Sequence, residues 1–187
     1  MNYRKFLTSS NLLVIAGKSA EQNNEIIKEA KNQDLILHTT ARGSPFCIIK
    51  AKKQEKIDNQ SIKEAAIFCA SFSKQWKQGK KLVEIHFFNK ENIYKEKGMA
   101  IGTYGVRKIE KKLKVKPMLA IGLKQGKIQC SPEKALDRTY IKINQGKQSK
   151  EKAAEKIYDI LKKQKIQVNK EEIMQLIPAG GFSISTY

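Results

Sequence analysis

Gly17-Lys18-Ser19 follows a short apolar run, where a phosphate-binding loop would present a lysine and a hydroxyl. That loop also needs a glycine five residues before Gly17, so that bare backbone amides can cradle the phosphates. Leu12 stands there instead, and a P-loop ATPase is rejected. A milder chemistry survives: Lys18 near a helix N-terminus can meet a phosphate beside unpaired amides. Asp34 and His38 suggest an acid–base pair, but they lie four residues apart in an expected strand. At about 3.3 Å per residue the gap is about 13 Å, too far for a direct hydrogen bond. His38, beside the loop Ala41-Arg42-Gly43-Ser44, reads as a hydrogen-bonded structural histidine at the mouth of a groove. His86, between Ile85 and Phe87, reads as structural.

Cys47, Cys69 and Cys130 are widely spaced and form no CxxC pair, so they read as buried reduced thiols. Two histidines and scattered carboxylates supply no metal-ligand set. No serine or cysteine nucleophile comes with an identifiable base. The expectation is no catalytic residue, no metal and no cofactor.

What remains is positive charge. The 187 residues carry 37 Lys+Arg against 18 Asp+Glu, a formal charge of +19. Solubility asks for a magnitude of only about 2–8. The excess repels itself and calls for a polyanion, since basic groups gain free energy by displacing counterions from phosphates. Lysine far outnumbers arginine, so part of the excess is compositional. Two loop clusters stand out. Arg42, Lys50, Lys52 and Lys53 surround a first strand pair; Lys95, Lys97, Arg107 and Lys108 surround a glycine-bearing loop. Loops carry binding more often than scaffold does, and arginine grips phosphate with two parallel bonds.

The elements that position these groups follow from pattern. Leu12–Ala16 reads as a strand, then Ser19 to Gln22 as a capping box opening a helix. That helix buries Ala20, Ile27 and Ala30, with Asn23 on the same side; a buried-side asparagine needs partners and should fix a neighbouring loop. Strands are expected at 34–39, 46–50 and 81–88, with a turn at Gly43-Ser44-Pro45. Ser61 to Glu64 reads as a second capping box, opening a helix whose apolar face runs from Ile62 to Trp76. Trp76 is expected in the core. Tyr104–Ile109 and Lys112–Val115 read as a hairpin, and Met118–Leu123 and Lys127–Cys130 as another, joined at Gly126. Ser131-Pro132 offers a cap with proline at the first position of a helical turn. A strand at 140–144, an amphipathic helix at 149–164 and a short helix from Asn169 to Ile177 complete the chain. The fold class is α+β: a mixed, partly antiparallel sheet with packed helices and a small C-terminal α/β extension. The boundary falls near Lys116-Pro117, giving 1–116 and 117–187, both packed as one domain.

The ordered set Gly17 to Asn23, Asp34 to His38, Gly43-Ser44, Lys50, Glu64-Ala65-Ala66, Val83 to Phe88 and Tyr94 to Gly98 resembles the NFACT-R domain over roughly the first 115 residues. That domain forms the C-terminal part of ribosome quality-control factors of the NEMF and RqcH type, and also occurs alone. Gly17, Gln22, Asn23, Asp34, His38, Gly43, Ser44, Lys95 and Gly98 match its pattern. Lys18 replaces an arginine, Ser19 an asparagine, Asn24 a glutamate, Ile36 a tryptophan and Pro45 a histidine. The resemblance implies an RNA-binding protein of translation, its partner tRNA or rRNA of the large ribosomal subunit. The glycosylase-like, helix-hairpin-helix and coiled-coil parts of those factors are absent from these residues, so a stand-alone module is expected, without tail synthesis of its own.

The expected contact residues are Lys18, His38, Arg42, Ser44, Lys50, Lys52, Lys95, Lys97, Arg107 and Lys108. Gly17, Gln22, Asn23, Asp34, Gly43 and Gly98 are expected to shape the loops. DNA is a second candidate partner. With no apolar run near the ~20 residues of a membrane span and no leader pattern, a cytoplasmic protein is expected. The rival readings are an RNA-processing or tRNA-modifying enzyme using His38 and Asp34, and a protein-binding adaptor using the C-terminal helices.

Overall fold

The computed structural model describes residues 3–186. The chain runs β1 (Arg4–Leu7), β2 (Leu13–Ala16), α1 (Ala20–Glu29), β3 (Leu35–Thr39), β4 (Cys47–Lys50), α2 (Asn59–Ser71), α3 (Lys74–Lys77) and β5 (Val83–Phe88). It continues with β6 (Ile93–Tyr94), β7 (Gly105–Val106), β8 (Lys111–Val115), β9 (Leu119–Lys124), β10 (Lys127–Ser131) and β11 (Arg138–Gln148). It ends with α4 (Lys150–Lys163), α5 (Lys170–Leu176) and β12 (Phe182–Thr186). A six-stranded sheet has the order β1-β2-β4-β3-β5-β8, and a four-stranded sheet β10-β9-β11-β12. β6 and β7 form a two-stranded ribbon. The fold is α+β, and every pairing among the described strands is antiparallel rather than partly so. No helix among the described residues is long and apolar enough to cross a membrane.

Strand alternation decides how the larger sheet is clothed. Phe6, Val14, Leu37, Cys47, Ile49, Ile85 and Phe87 point to the face that carries α2. Ile36, Ile48 and Phe88 point to the other face, against Ile26, Ile27 and Ala30 of α1. The α2-side cluster does not stop at the sheet. It passes through Phe68 and Cys69 of α2 into Leu119, Ile121 and Ile141 of the smaller sheet, and on to Ile157 of α4 and Ile173 of α5. Trp76 is buried in the same cluster, its ring 6.1 Å from that of Phe182. The apolar sides of the two C-terminal helices are thus spent inside the molecule.

Local chemistry places most boundaries. Ser19, Ser149 and Asn169 cap α1, α4 and α5, and Asn169 forms a full capping box with Glu172. In α1 the reciprocal bond lands one residue early: Gln22 Oε1 accepts from the Lys18 amide, not from Ser19. The two-residue turn Gln125-Gly126, with φ 50° and 73°, closes the β9–β10 hairpin as the twist of paired strands favours.

Several expectations are corrected. α2 starts earlier than Ser61, because Asp58 accepts from the Ser61 amide at 2.9 Å; Glu64 turns instead to the Ser9 amide at 2.8 Å. The apolar face ending at Trp76 is broken in two, since Ser73 caps a separate turn carrying Trp76. Residues 104–109 and 112–115 are no hairpin. Leu113 and Val115 are drawn to β5 by burial, while Gly105-Val106 pairs back with Ile93-Tyr94. Pro132 sits at the cap rather than inside the following turn, because Ser131 is still in β10. β1 and β12, both unforeseen, occupy sheet edges.

Beyond their shared core, the edge strands β1 and β10 of the two sheets are joined by one buried amide. Gln129 of β10 is buried; its Oε1 accepts from the Leu7 amide at 2.9 Å and its Nε2 donates to the Leu7 carbonyl at 3.2 Å. Replacing it leaves both backbone groups without that partner. Gln129→Ala should therefore lower stability by about 1–3 kcal/mol. In urea the midpoint should fall within a single transition of unchanged slope, because the core is shared. Two separated transitions would show the sheets unfolding independently.

Candidate nucleic-acid interface

The β3–β4 connection is built to be rigid. Thr39 and Ser44 hydroxyls lie 2.9 Å apart, and the Thr39 hydroxyl accepts from the Ala41 amide at 3.2 Å. His38 Nε2 lies 3.1 Å from the Ser44 carbonyl, which fits an N–H donor there. From the far side Asn23 of α1 reaches in: its Oδ1 accepts from the Phe46 amide at 3.1 Å and its Nδ2 donates to the Ser44 carbonyl at 3.5 Å. Asn23 thus fixes a neighbouring loop, as its place on the buried side of α1 implies. Gly17 lets this happen, since a β-carbon there would collide with the Asn23 side chain. Gly43 has φ 73°, which a side chain would strain, and the Lys74 ammonium lies across it.

Beside this loop lies a groove of about 790 Å³. Its cationic lining is Arg4 from β1, Lys18 from the approach to α1, Arg42 from the loop, and Lys74 and Lys77 from α3. Phe46, Phe72 and Tyr104 supply aromatic wall. No aspartate or glutamate is among the lining residues. Arg4 is held by donating to the Gly17 carbonyl at 2.8 Å and by lying 5.0 Å over the Phe72 ring. Burial, then the field of Arg4, pushes the Lys18 ammonium below its usual range. Tyr104 meets the edge of Phe46 at 5.8 Å and donates to Asn24 Oδ1 at 2.7 Å, which anchors the 101–104 wall to α1.

The expected contact residues divide. Lys18, His38, Arg42 and Ser44 all line the groove, but Ser44 is buried and His38 bonded inward, so these two shape the loop that carries Arg42. Arg42, Lys50, Lys52 and Lys53 do not form one cluster. Leu35 pairs with Ile49 and Leu37 with Cys47, so Arg42 emerges at one end of the β3–β4 hairpin and Lys50 to Lys53 at the other. Lys50 is also paired with Asp34, which further accepts from the Lys31 and Ala51 amides. Asp34 is thereby committed to closing its loop.

The second cluster is largely turned on itself. Lys95 donates to the carbonyls of Ala100 at 2.6 Å and Thr103 at 2.9 Å and lies over the Tyr104 ring. It braces the groove wall from behind. Arg107 lies over Tyr94, and Lys108 pairs with Glu110 at 3.2 Å. Lys97 is exposed, beside Gly98 with its φ of 94°. Arg4, Lys74 and Lys77 are groove residues that sequence reading missed. The signal for the lysines was present: they flank the buried Trp76 three residues apart, on the opposite side of one helical turn. Nothing local marks Arg4.

Residues 2–108 match the model of the NFACT protein RNA binding domain. The archaeal Rqc2 homolog aRqcH of Methanocaldococcus jannaschii is 30% identical over 193 residues, covering 96% of this chain and 28% of that protein. The human ribosome quality control complex subunit NEMF is 31% identical over 72 residues, 38% of this chain and 7% of its own length. The chain therefore spans under a third of these relatives. The C-terminal part of the fibronectin/fibrinogen-binding protein from Streptococcus suis shares the fold with a TM-score of 0.56 at 24% identity, over 63% of this chain and 46% of that one. The family model covers more than half of the chain and includes every residue that lines the groove except Ala179, so this protein belongs to the NFACT RNA-binding domain family.

Proposed function

We propose that the chain binds RNA in this groove, gripping phosphates with Arg4, Lys18, Arg42, Lys74 and Lys77. The observation that carries the reading is the lining itself: five cations from four segments, and no carboxylate among them. Like charges held together are destabilising unless an anion comes between them, and a polyanion does so while releasing its own counterions. The rigid bed under Arg42 favours a site organised before the ligand arrives. The names of the relatives favour RNA of the translation apparatus. We take the partner to be tRNA or rRNA of the large subunit, met in the cytoplasm during ribosome quality control, with DNA as a weaker competitor for the same phosphate contacts.

The role is binding rather than catalysis. Asp34 is occupied by three donors and His38 by the Ser44 carbonyl, so both serve the loops instead of a reacting group. The adaptor reading loses ground because the apolar sides of α4 and α5 are buried.

Two outcomes are expected. Wild-type affinity for tRNA should fall steeply between 50 and 200 mM salt, and Arg42→Ala combined with Lys74→Ala should reduce the log–log salt slope by about 1.5. A flat wild-type dependence would overturn the reading. The second concerns His38. Burial, the largest influence, holds its folded pKa below the ordinary 6.5, so the unfolded chain takes the proton first. Its contribution to stability is complete above about pH 6.5 and is lost as pH falls toward the depressed folded value. Chemical denaturation from pH 7.5 to 5.5 should show this loss, and His38→Asn should flatten it. Parallel profiles would show that protonation of His38 is not linked to folding.

A further inference from the structure

Arg4 and Lys18 do not belong to the groove alone. They also line a neighbouring cleft of about 560 Å³, whose other wall is Lys150 of α4 with Lys170, Glu171 and Gln175 of α5. Lys150 lies outside the segment matched by the family model. It is half-buried, and burial followed by the field of Arg4 pushes its ammonium below the usual range; Lys77 and Lys18 act in the same direction. The cations of the groove therefore continue around the corner into the C-terminal part of the chain. Their carboxylate company is thin. Glu151 adjoins Lys150 and Glu171 lines the cleft, while Lys170 is already paired with Glu155.

Both cavities are concave and of a size that takes one or a few small chemical units. A rigid duplex cannot fold into them. A single strand can, because its phosphates can turn one after another and its bases can lie on aromatic wall. Resting on the reading of the groove as an RNA site, we propose that an unpaired stretch of RNA leaves the groove past Lys77 and that Arg4, Lys18 and Lys150 hold its next phosphates. The C-terminal part of the chain then completes the binding site instead of merely covering the core.

The test uses the full chain and two labelled probes, a 12-nucleotide oligouridylate and a blunt 12-base-pair RNA duplex. Fluorescence anisotropy gives the affinity of each across 50–200 mM salt. Lys150→Gln, which lies in the cleft and not in the groove, is compared with a charge-matched control, Lys162→Gln, at the far end of α4. Arg4, Lys18 and Lys77 are left intact because they also line the groove. Thermal unfolding of both variants should match wild type. For the single strand, the cleft variant should lose about 0.7 from the log–log salt slope, the worth of one contact. The control should lose less than half of that. Equal loss in the two variants, or a duplex bound as tightly as the single strand and weakened as much, overturns the inference while leaving the groove reading standing. Wild type that binds neither probe at any salt removes both.

Discussion

The two hydrogen bonds of the Asn23 amide hold this architecture in its working form. One side chain on α1 takes the Phe46 amide and the Ser44 carbonyl, and so fixes the helix to the loop that leads into β4. The Ser44 carbonyl also serves His38, whose ring lies 4.5 Å from that of Phe46. Gly17 is bare because Asn23 passes over it, and the Gly17 carbonyl is what holds Arg4. Loss of this amide would loosen the loop bearing Arg42, the approach bearing Lys18 and the anchor of Arg4 together.

Such rigidity has an electrostatic purpose. Lysines on flexible stems move apart to lower their repulsion, and most of the lysines in this chain are free to do so at the surface. Arg4 and Lys18 of the groove are not. Arg4 is clamped by a carbonyl and a ring, Lys18 is half-buried, and Lys74 lies across Gly43. The loop cations that look most eligible by number are engaged elsewhere: Lys95 braces carbonyls, Lys50 answers Asp34 and Lys108 answers Glu110. The groove that we propose as the site differs from the rest of the basic surface in having Arg4 and Lys18 held in place and no carboxylate in its lining.

Which parts of this were legible in the sequence follows from locality. Asn23 was legible because helical spacing puts it on a buried face, where an amide must find partners. The caps at Ser19 and Asn169 and the turn at Gly126 depend on neighbours in sequence, and they form where expected or one residue off. Asp58 was overlooked because Ser61 and Glu64 mimic a capping box while serving tertiary bonds to the β1–β2 turn. β1 buries only Phe6, and β12 only Phe182 and Ile184, too few apolar residues to announce a strand, whereas the equally short β2 is apolar throughout. The convergence of Arg4, Lys18, Lys77 and Lys150 joins residues nearly 150 positions apart, and no local pattern encodes it. Lysine type alone cannot tell a brace from a contact; only the carbonyl in front of it can.

The bridge between Gln129 and Leu7 has a consequence for the molecule in company. β1 is an edge of the six-stranded sheet and β10 an edge of the smaller one, and each would offer open backbone to a stray strand. Gln129 occupies the Leu7 amide and carbonyl, so the two edges shield each other at that point. The opposite edge, β8, carries exposed Lys111, Lys112 and Lys114, which repel any copy of themselves. These edges are thereby less open to pairing with a second copy of the chain.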